Sequence, residues 1–182
     1  TREQYLDRVR SLRSAVPHIA LSTDIIVGFP GETDADFNDT LSLVAEVAFD
    51  HAFTFIYSPR EGTPAAALTK TVPRDVAQDR FDQLATLVRD LSFDANTRQV
   101  GTVRSCLAEG PSKRDDRVLS ARTPENRLVH VPLGSAERTR ALAGHIVDVR
   151  ITAAHPWVLT GELVEPTGYG ERLCGNGHDA WR

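Results

Sequence analysis

Two short stretches of the chain hold the residue types from which a binding site is built. The first is Gly28-Phe29-Pro30-Gly31-Glu32, which ends a run of β-branched apolar residues abruptly. Its two glycines permit backbone angles, or a close approach, that a Cβ forbids, and Pro30 stiffens the turn between them. A helix starting just beyond it offers unpaired N–H groups to an anion or a polar ligand. The pattern is neither a Walker loop nor GxGxxG, and on local chemistry alone it serves equally as a tight turn that touches nothing. The second stretch is Tyr57-Ser58-Pro59-Arg60, which places aromatic, hydroxyl and guanidinium groups beside a Gly62-Thr63-Pro64 turn. Phe55 and Tyr57 alternate onto one face, which suits a nucleoside base or plain core packing. Asp24 and Glu32 are the nearest carboxylates; Asp24, inside an apolar strand, is either fold-fixing or a site residue, and needs a partner if buried. No nucleophile and base stand together, since Ser58 has no histidine at suggestive spacing and His51 lies at the far end of its strand.

A different chemistry collects further along. Lys113 and Arg114 occupy a turn in EGPSKRDDR, Asn126 and Arg127 open NRLVH, and Arg104 and Arg122 can join them. Small β-barrels bind nucleic acid through such rims, although loop cations are more often simply solvated. Cys106 and Cys174 are far apart and form neither a disulfide framework nor a CxxC pair. Cys174 and His178 in CGNGH supply two ligands in a glycine-rich tail, which falls short of a metal site.

These residues need elements to hold them. Tyr5, Leu6, Val9, Leu12 and Val16 recur at helical spacing and predict a helix over 2–15, ended by Pro17. Residues 19–27 read as a strand buried on both faces. Thr33 with Asp36 is a capping-box pattern, and Phe37, Leu41, Val44 and Ala48 mark one face of the helix that follows. A second strand covers 51–58, and the βαβ order makes the two strands parallel. After Pro73 a long helix runs to about 97, with Val76, Phe81, Leu84, Val88 and Leu91 on its buried side. Near Arg98 the period becomes alternating, with strands expected at 100–107, 117–121, 127–131, 145–152 and 157–164 separated by turn signals, the mark of a small all-β barrel or sandwich. Residues 166–182, with four glycines, read as a loose tail.

Composition sets the outer bounds. The chain has 182 residues, 41% hydrophobic and 25% charged, enough for one large or two small domains with their own cores. No window approaches a membrane span and the charged start is unlike a signal peptide, so the cytoplasm is the default location. Charge divides the chain in two: residues 1–97 hold 9 Lys and Arg against 15 Asp and Glu, whereas residues 98–165 hold 10 against 8. A mild excess of this kind allows a polyanionic partner without requiring one. The chain opens on Thr1 and contains no methionine, so it reads as a piece of something longer.

LSTDIIVGFPGETDADFNDTL, then FDHAFTFIYSPREGTPAA, then LAEGPSKRDDRVLSARTPENRLVHV occur in an order and spacing that resemble the radical-SAM tRNA methylthiotransferases of the MiaB type, over about residues 1–165. The resemblance implies an α/β fragment of a partial (β/α) barrel over 1–97 and a TRAM domain, a small OB-like β-barrel that grips the tRNA anticodon stem-loop, over 98–165. It implies that Gly28, Phe29, Gly31, Glu32, Phe55, Tyr57, Ser58 and Arg60 lie about S-adenosylmethionine, and that Lys113, Arg114, Arg122, Asn126 and Arg127 contact RNA. The family reaction adds a methylthio group to carbon 2 of an isopentenylated adenosine beside the anticodon, with S-adenosylmethionine and two [4Fe-4S] clusters. The family's CxxxCxxC motif is missing from this sequence and its two cysteines cannot replace three spaced thiolates. No catalytic residue, metal or cluster is therefore expected in this chain, which should be inert alone and complete only with a missing N-terminal part. Two other readings stand beside it: an RNA-binding module whose α/β part is scaffold, and a relative of the ribosomal-protein methylthiotransferases. A sheet edge left open would promote self-association.

Overall fold

The computed structural model describes residues 1–17 and 19–164; the tail over 166–182, with Cys174 and His178, lies outside the described residues. Helix α1, Arg2–Ala15, begins at a capping box between Thr1 and Gln4 and leads into strand β1, Ser22–Val27. Helix α2, Asp34–Val47, starts at the Thr33–Asp36 box, where the Thr33 hydroxyl oxygen accepts the Asp36 N–H at 3.2 Å and the Asp36 carboxylate accepts the Thr33 N–H at 2.9 Å. Strand β2, His51–Ile56, runs parallel to β1 in the register Ser22 to His51 through Val27 to Ile56. After a 3-10 turn at Pro64–Ala67, helix α3 spans Arg74–Thr97.

Strand β1 begins later than expected because Leu21 bonds to a loop instead of a ladder: its N–H donates to Asp50 Oδ2 at 2.9 Å and its carbonyl accepts the Asp50 N–H at 2.9 Å. The expectation that β1 is buried on both faces is also corrected. Val27 is buried and Ile25 packs against the helix side, but Ile26 is 53% exposed and shares the opposite face with Phe53 and Phe55, 59% and 50% exposed. Helices cover one face of this two-stranded sheet, and nothing among the described residues covers the other. On α3 the expected Leu84 and Val88 are buried and Phe81 and Leu91 pack partly buried against the same core, but the stripe also takes in buried Ala77, Arg80, Ser92 and Asn96. Three polar members on that stripe disguise it in a hydrophobicity pattern.

The second part is a closed barrel in the order β3-β4-β5-β7-β6, with β3 Val103–Pro111, β4 Val118–Arg122, β5 Leu128–Pro132, β6 Ile146–Ala154 and β7 Leu159–Leu163. Its pairs are antiparallel except β5 with β7. Alternation sends Cys106, Ala108, Leu119, Ala121, Val129, Val131, Val149, Ile151 and Leu159 inward as one core. At Gly161 a Cβ would lie 2.4 Å from Val149 Cγ1, so β7 can close against β6 only with glycine there. Helix α4, Ala136–Ala141, packs over β3 and β4 and was not expected. Six residues are too few for a helical period, and its only local sign is the Ser135 cap.

Candidate functional site

Because β1 and β2 are parallel, both chains leave the sheet on the same side, and the Tyr57 N–H extends the ladder to the Val27 carbonyl at 2.8 Å. The two exits bound an apolar cleft of about 590 Å³ lined by Phe29, Phe55, Tyr57, Ser58 and Arg60 together with Ile26 and Thr63. Phe29 meets the Tyr57 ring edge-on at 5.1 Å between centroids. A second hollow of about 260 Å³ lies between Pro30 and Pro59 against Ala77. The Tyr57 hydroxyl is buried with no hydrogen-bond partner among the described residues, so its desolvation is uncompensated there. Aromatic walls with a hydroxyl and a guanidinium at the edge are the lining that a flat heteroaromatic ring with a polar substituent requires.

The remaining members of the first turn shape it from behind. Glu32 points inward, its carboxylate accepting the Gly28 N–H at 2.8 Å and an Arg80 guanidinium hydrogen bond at 2.6 Å. Arg80 also pairs with Asp34 at 2.6 Å and lies 5.6 Å over the Phe37 ring. Gly28, at φ +72°, sits where a Cβ would come within 2.8 Å of Ala77 Cβ, so α3 presses directly on the turn. Gly31, at φ +90°, has open space around it and donates to the Lys70 carbonyl at 2.7 Å. Arg80 was missed in the sequence because a cation on the buried stripe of a helix reads as a break in that stripe. Asp24 is exposed beside Phe53 on the open face, so the burial that would demand a partner does not arise.

The basic residues are not brought together. Lys113 and Arg114 lie exposed in the loop between β3 and β4, whereas Arg122, Asn126 and Arg127 lie at the other end of β4. Arg127 corrects the sequence reading: its side chain is 10% exposed, ion-paired to Asp50 and donating to Asn96 Oδ1 at 2.8 Å, and so is closed to a phosphate. Asn96 in turn donates to the carbonyls of His155 at 2.7 Å and Pro156 at 3.2 Å. The barrel is thus fastened to the α/β part at the amino-terminal ends of β1 and β2. The cleft lies at their carboxyl ends, about 20 Å away for six-residue strands. Arg122 donates to the Asn126 carbonyl at 3.1 Å and pairs with Glu109 at 3.4 Å, and Arg104 pairs with Glu125. Asn126 is exposed at the hairpin tip at φ +63°. His51, beside this junction, has its imidazole pKa lowered by burial and then by the Arg127 charge.

Cys106 faces the barrel core, where burial pushes its thiol up to about 11. It is no thiolate ligand at neutral pH, and no group of three metal-binding side chains occurs among the described residues. The donor set among the described residues, with a single buried cysteine, does not fit an iron-sulfur cluster.

Residues 97–164 match the family model described as the TRAM domain. Across nearly its whole length the chain is similar to proteins named tRNA-2-methylthio-N(6)-dimethylallyladenosine synthase. It is 48% identical over 165 residues to that of Bacillus cereus (strain B4264), covering 91% of this chain and 31% of the relative. It is 50% identical over 163 residues to that of Geobacillus thermodenitrificans (strain NG80-2), covering 90% and 30%. The relative from Moorella thermoacetica (strain ATCC 39073 / JCM 9320) is 48% identical over 165 residues, covering 91% and 36%. The chain therefore spans about a third of the length of these relatives, and the likeness carried by its three motifs is borne out.

Proposed function

We propose that this chain, a TRAM domain joined to an α/β segment of the tRNA methylthiotransferase kind, supplies one wall of a cofactor cleft and the RNA grip of an enzyme that methylthiolates an isopentenylated adenosine beside the anticodon of tRNA. The observation that carries this is the nucleoside-sized cleft at two parallel strand ends, rigidly joined to a small β-barrel. In this reading β1 and β2 belong to a partial (β/α) barrel whose inner face bears Ile26, Phe53 and Phe55. Phe29, Phe55 and Tyr57 enclose the adenine of S-adenosylmethionine, and Ser58 and Arg60 face its polar end. Gly28, Gly31 and Glu32 keep the turn open beside it. Lys113 and Arg114 meet phosphates. Bound S-adenosylmethionine would supply the methyl group and, reduced at an iron-sulfur centre held by other residues of the enzyme, the radical. The work occurs in the cytoplasm, in keeping with tRNA as substrate; among the described residues no helix is long and apolar enough to cross a membrane.

A graft tests this reading. The segment replaces its counterpart in the Bacillus cereus relative, and the chimera is assayed on tRNA lacking the methylthio group. Formation of the 2-methylthio nucleoside is expected. A chimera that folds and carries its clusters yet leaves adenosine unmodified overturns the reading; retained RNA binding in that case leaves an RNA-binding module. The chain alone, even after iron-sulfur reconstitution, is expected to release no 5′-deoxyadenosine, and clear turnover would count against the proposal.

A further inference from the structure

The cations of the barrel fall into two classes once their partners are named. Arg104, Arg117, Arg122, Arg127, Arg140 and Arg150 each pair with a carboxylate. Among the described residues 103–164, Lys113, Arg114 and Arg138 do not. Two of these three are the loop residues already singled out. The third comes from α4, an element the sequence reading did not contain.

Loop 112–117 and α4 form one surface. The buried Thr139 hydroxyl donates to the Asp116 carbonyl at 2.7 Å, and Arg140 pairs with the Asp116 carboxylate at 3.0 Å. The Leu133 and Gly134 N–H groups both donate to the Arg117 carbonyl, at 3.0 and 3.2 Å. Inside the loop, the Ser112 hydroxyl oxygen accepts the N–H groups of Arg114 and Asp115 at 3.3 and 3.4 Å. The loop's two aspartates are met by Arg117 and Arg140, which offsets their charge and leaves exposed Glu137 of α4 as the one carboxylate of this surface without an ion pair among the described residues. Three unpaired cations therefore stand on an end of the barrel whose loop and helix are hydrogen-bonded together, while the other end is docked on the α/β part with its cations neutralised.

We propose that the barrel end built from loop 112–117 and α4 is the surface that follows the phosphodiester backbone of a structured RNA, with Arg138 as a phosphate contact beside Lys113 and Arg114. This rests on the reading that the barrel grips RNA and specifies which end does so. A paired arginine must give up its carboxylate before it can meet a phosphate, whereas an unpaired side chain exchanges only water and counterions for it. The contacts should be independent of RNA sequence, because a guanidinium or ammonium on a phosphate reads charge and position.

The test uses the chain as it stands and a fluorescein-labelled anticodon stem-loop, with affinity measured by anisotropy across roughly 50–200 mM salt. R138Q is expected to flatten the plot of log K against log salt by about one unit of slope, as are K113Q and R114Q singly. R138K should retain the wild-type slope. R150Q, which removes a paired cation on the outer wall of β6, should leave it unchanged. Unfolding curves superimposable on wild type show that the variants report charge and not folding. An unaltered slope for R138Q while wild type binds overturns the inference alone, and a loss in R122Q instead moves the RNA to the hairpin end. Failure of wild type to bind the stem-loop removes the RNA-gripping reading and this inference with it.

Discussion

Arg127 illustrates why the type of a residue does not settle its role. A guanidinium in a hairpin beside an asparagine looks like a nucleic-acid contact, but here its charge is taken inside the molecule by Asp50 and Asn96. Asp50 also accepts the Leu21 N–H, so one carboxylate joins the start of β1, the start of β2 and the barrel. Removing one partner of such a pair leaves the other charge buried and unmatched. R127A is therefore expected to lower unfolding stability by about 3 kcal/mol, measured by urea titration at neutral pH. R127K should recover little, because a single ammonium nitrogen lacks the planar fork whose two separate nitrogens reach Asn96 and Asp50 at once. Additive effects of R127A and D50A in a double-mutant cycle would deny the coupling on which this account rests.

At the scale of elements, the turn after β1 is shaped by a helix that arrives far later in the chain. Ala77 of α3 occupies the space a side chain at position 28 would need, and Arg80 one turn on fixes Glu32, which in turn holds the Gly28 N–H. G28A faces two costs, a left-handed backbone and contact with Ala77. The first alone is worth about 1 kcal/mol. A thermal melt of G28A should show clear destabilisation, and the G28A/A77G pair should recover part of it. Full recovery would mean that the backbone angle costs nothing, and no recovery that α3 does not press on the turn. The capping box at Thr33 and the start of α3 after Pro73 were legible because their signals are local. The polar part of the α3 stripe was not, since Arg80 and Asn96 are buried against partners distant in the chain and Ser92 is buried with no hydrogen-bond partner among the described residues.

For the whole molecule, the governing fact is a sheet of two strands with helices on one side. Ile26, Phe53 and Phe55 leave more than a third of their surface to water, and a large apolar side chain gains roughly 1.5–3 kcal/mol on full burial. Two free strand edges flank that face. We expect the isolated chain to self-associate through this face, visible as a mass that rises with concentration in size-exclusion chromatography with light scattering. Phe53→Asp should return it to monomer. A wild-type monomer at high concentration would show that the face is tolerated bare. In the proposed enzyme the same face belongs to the interior of a barrel that other residues complete.

Sequence alone determined what depends on neighbours along the chain: the βαβ order, the caps, the switch from helical to alternating period near Arg98, and the two strand-end turns that meet at the cleft. Those features follow from backbone sterics and side-chain periodicity, which act over a few residues. Tertiary structure alone decided which cations are free and which are paired, that Arg127 holds the two parts together, that α4 and loop 112–117 share a surface, and that one face of β1 and β2 stays open. Each of these depends on charges or surfaces brought together from distant positions, and solvation and Coulomb energies are set by distance in space and not by distance in sequence.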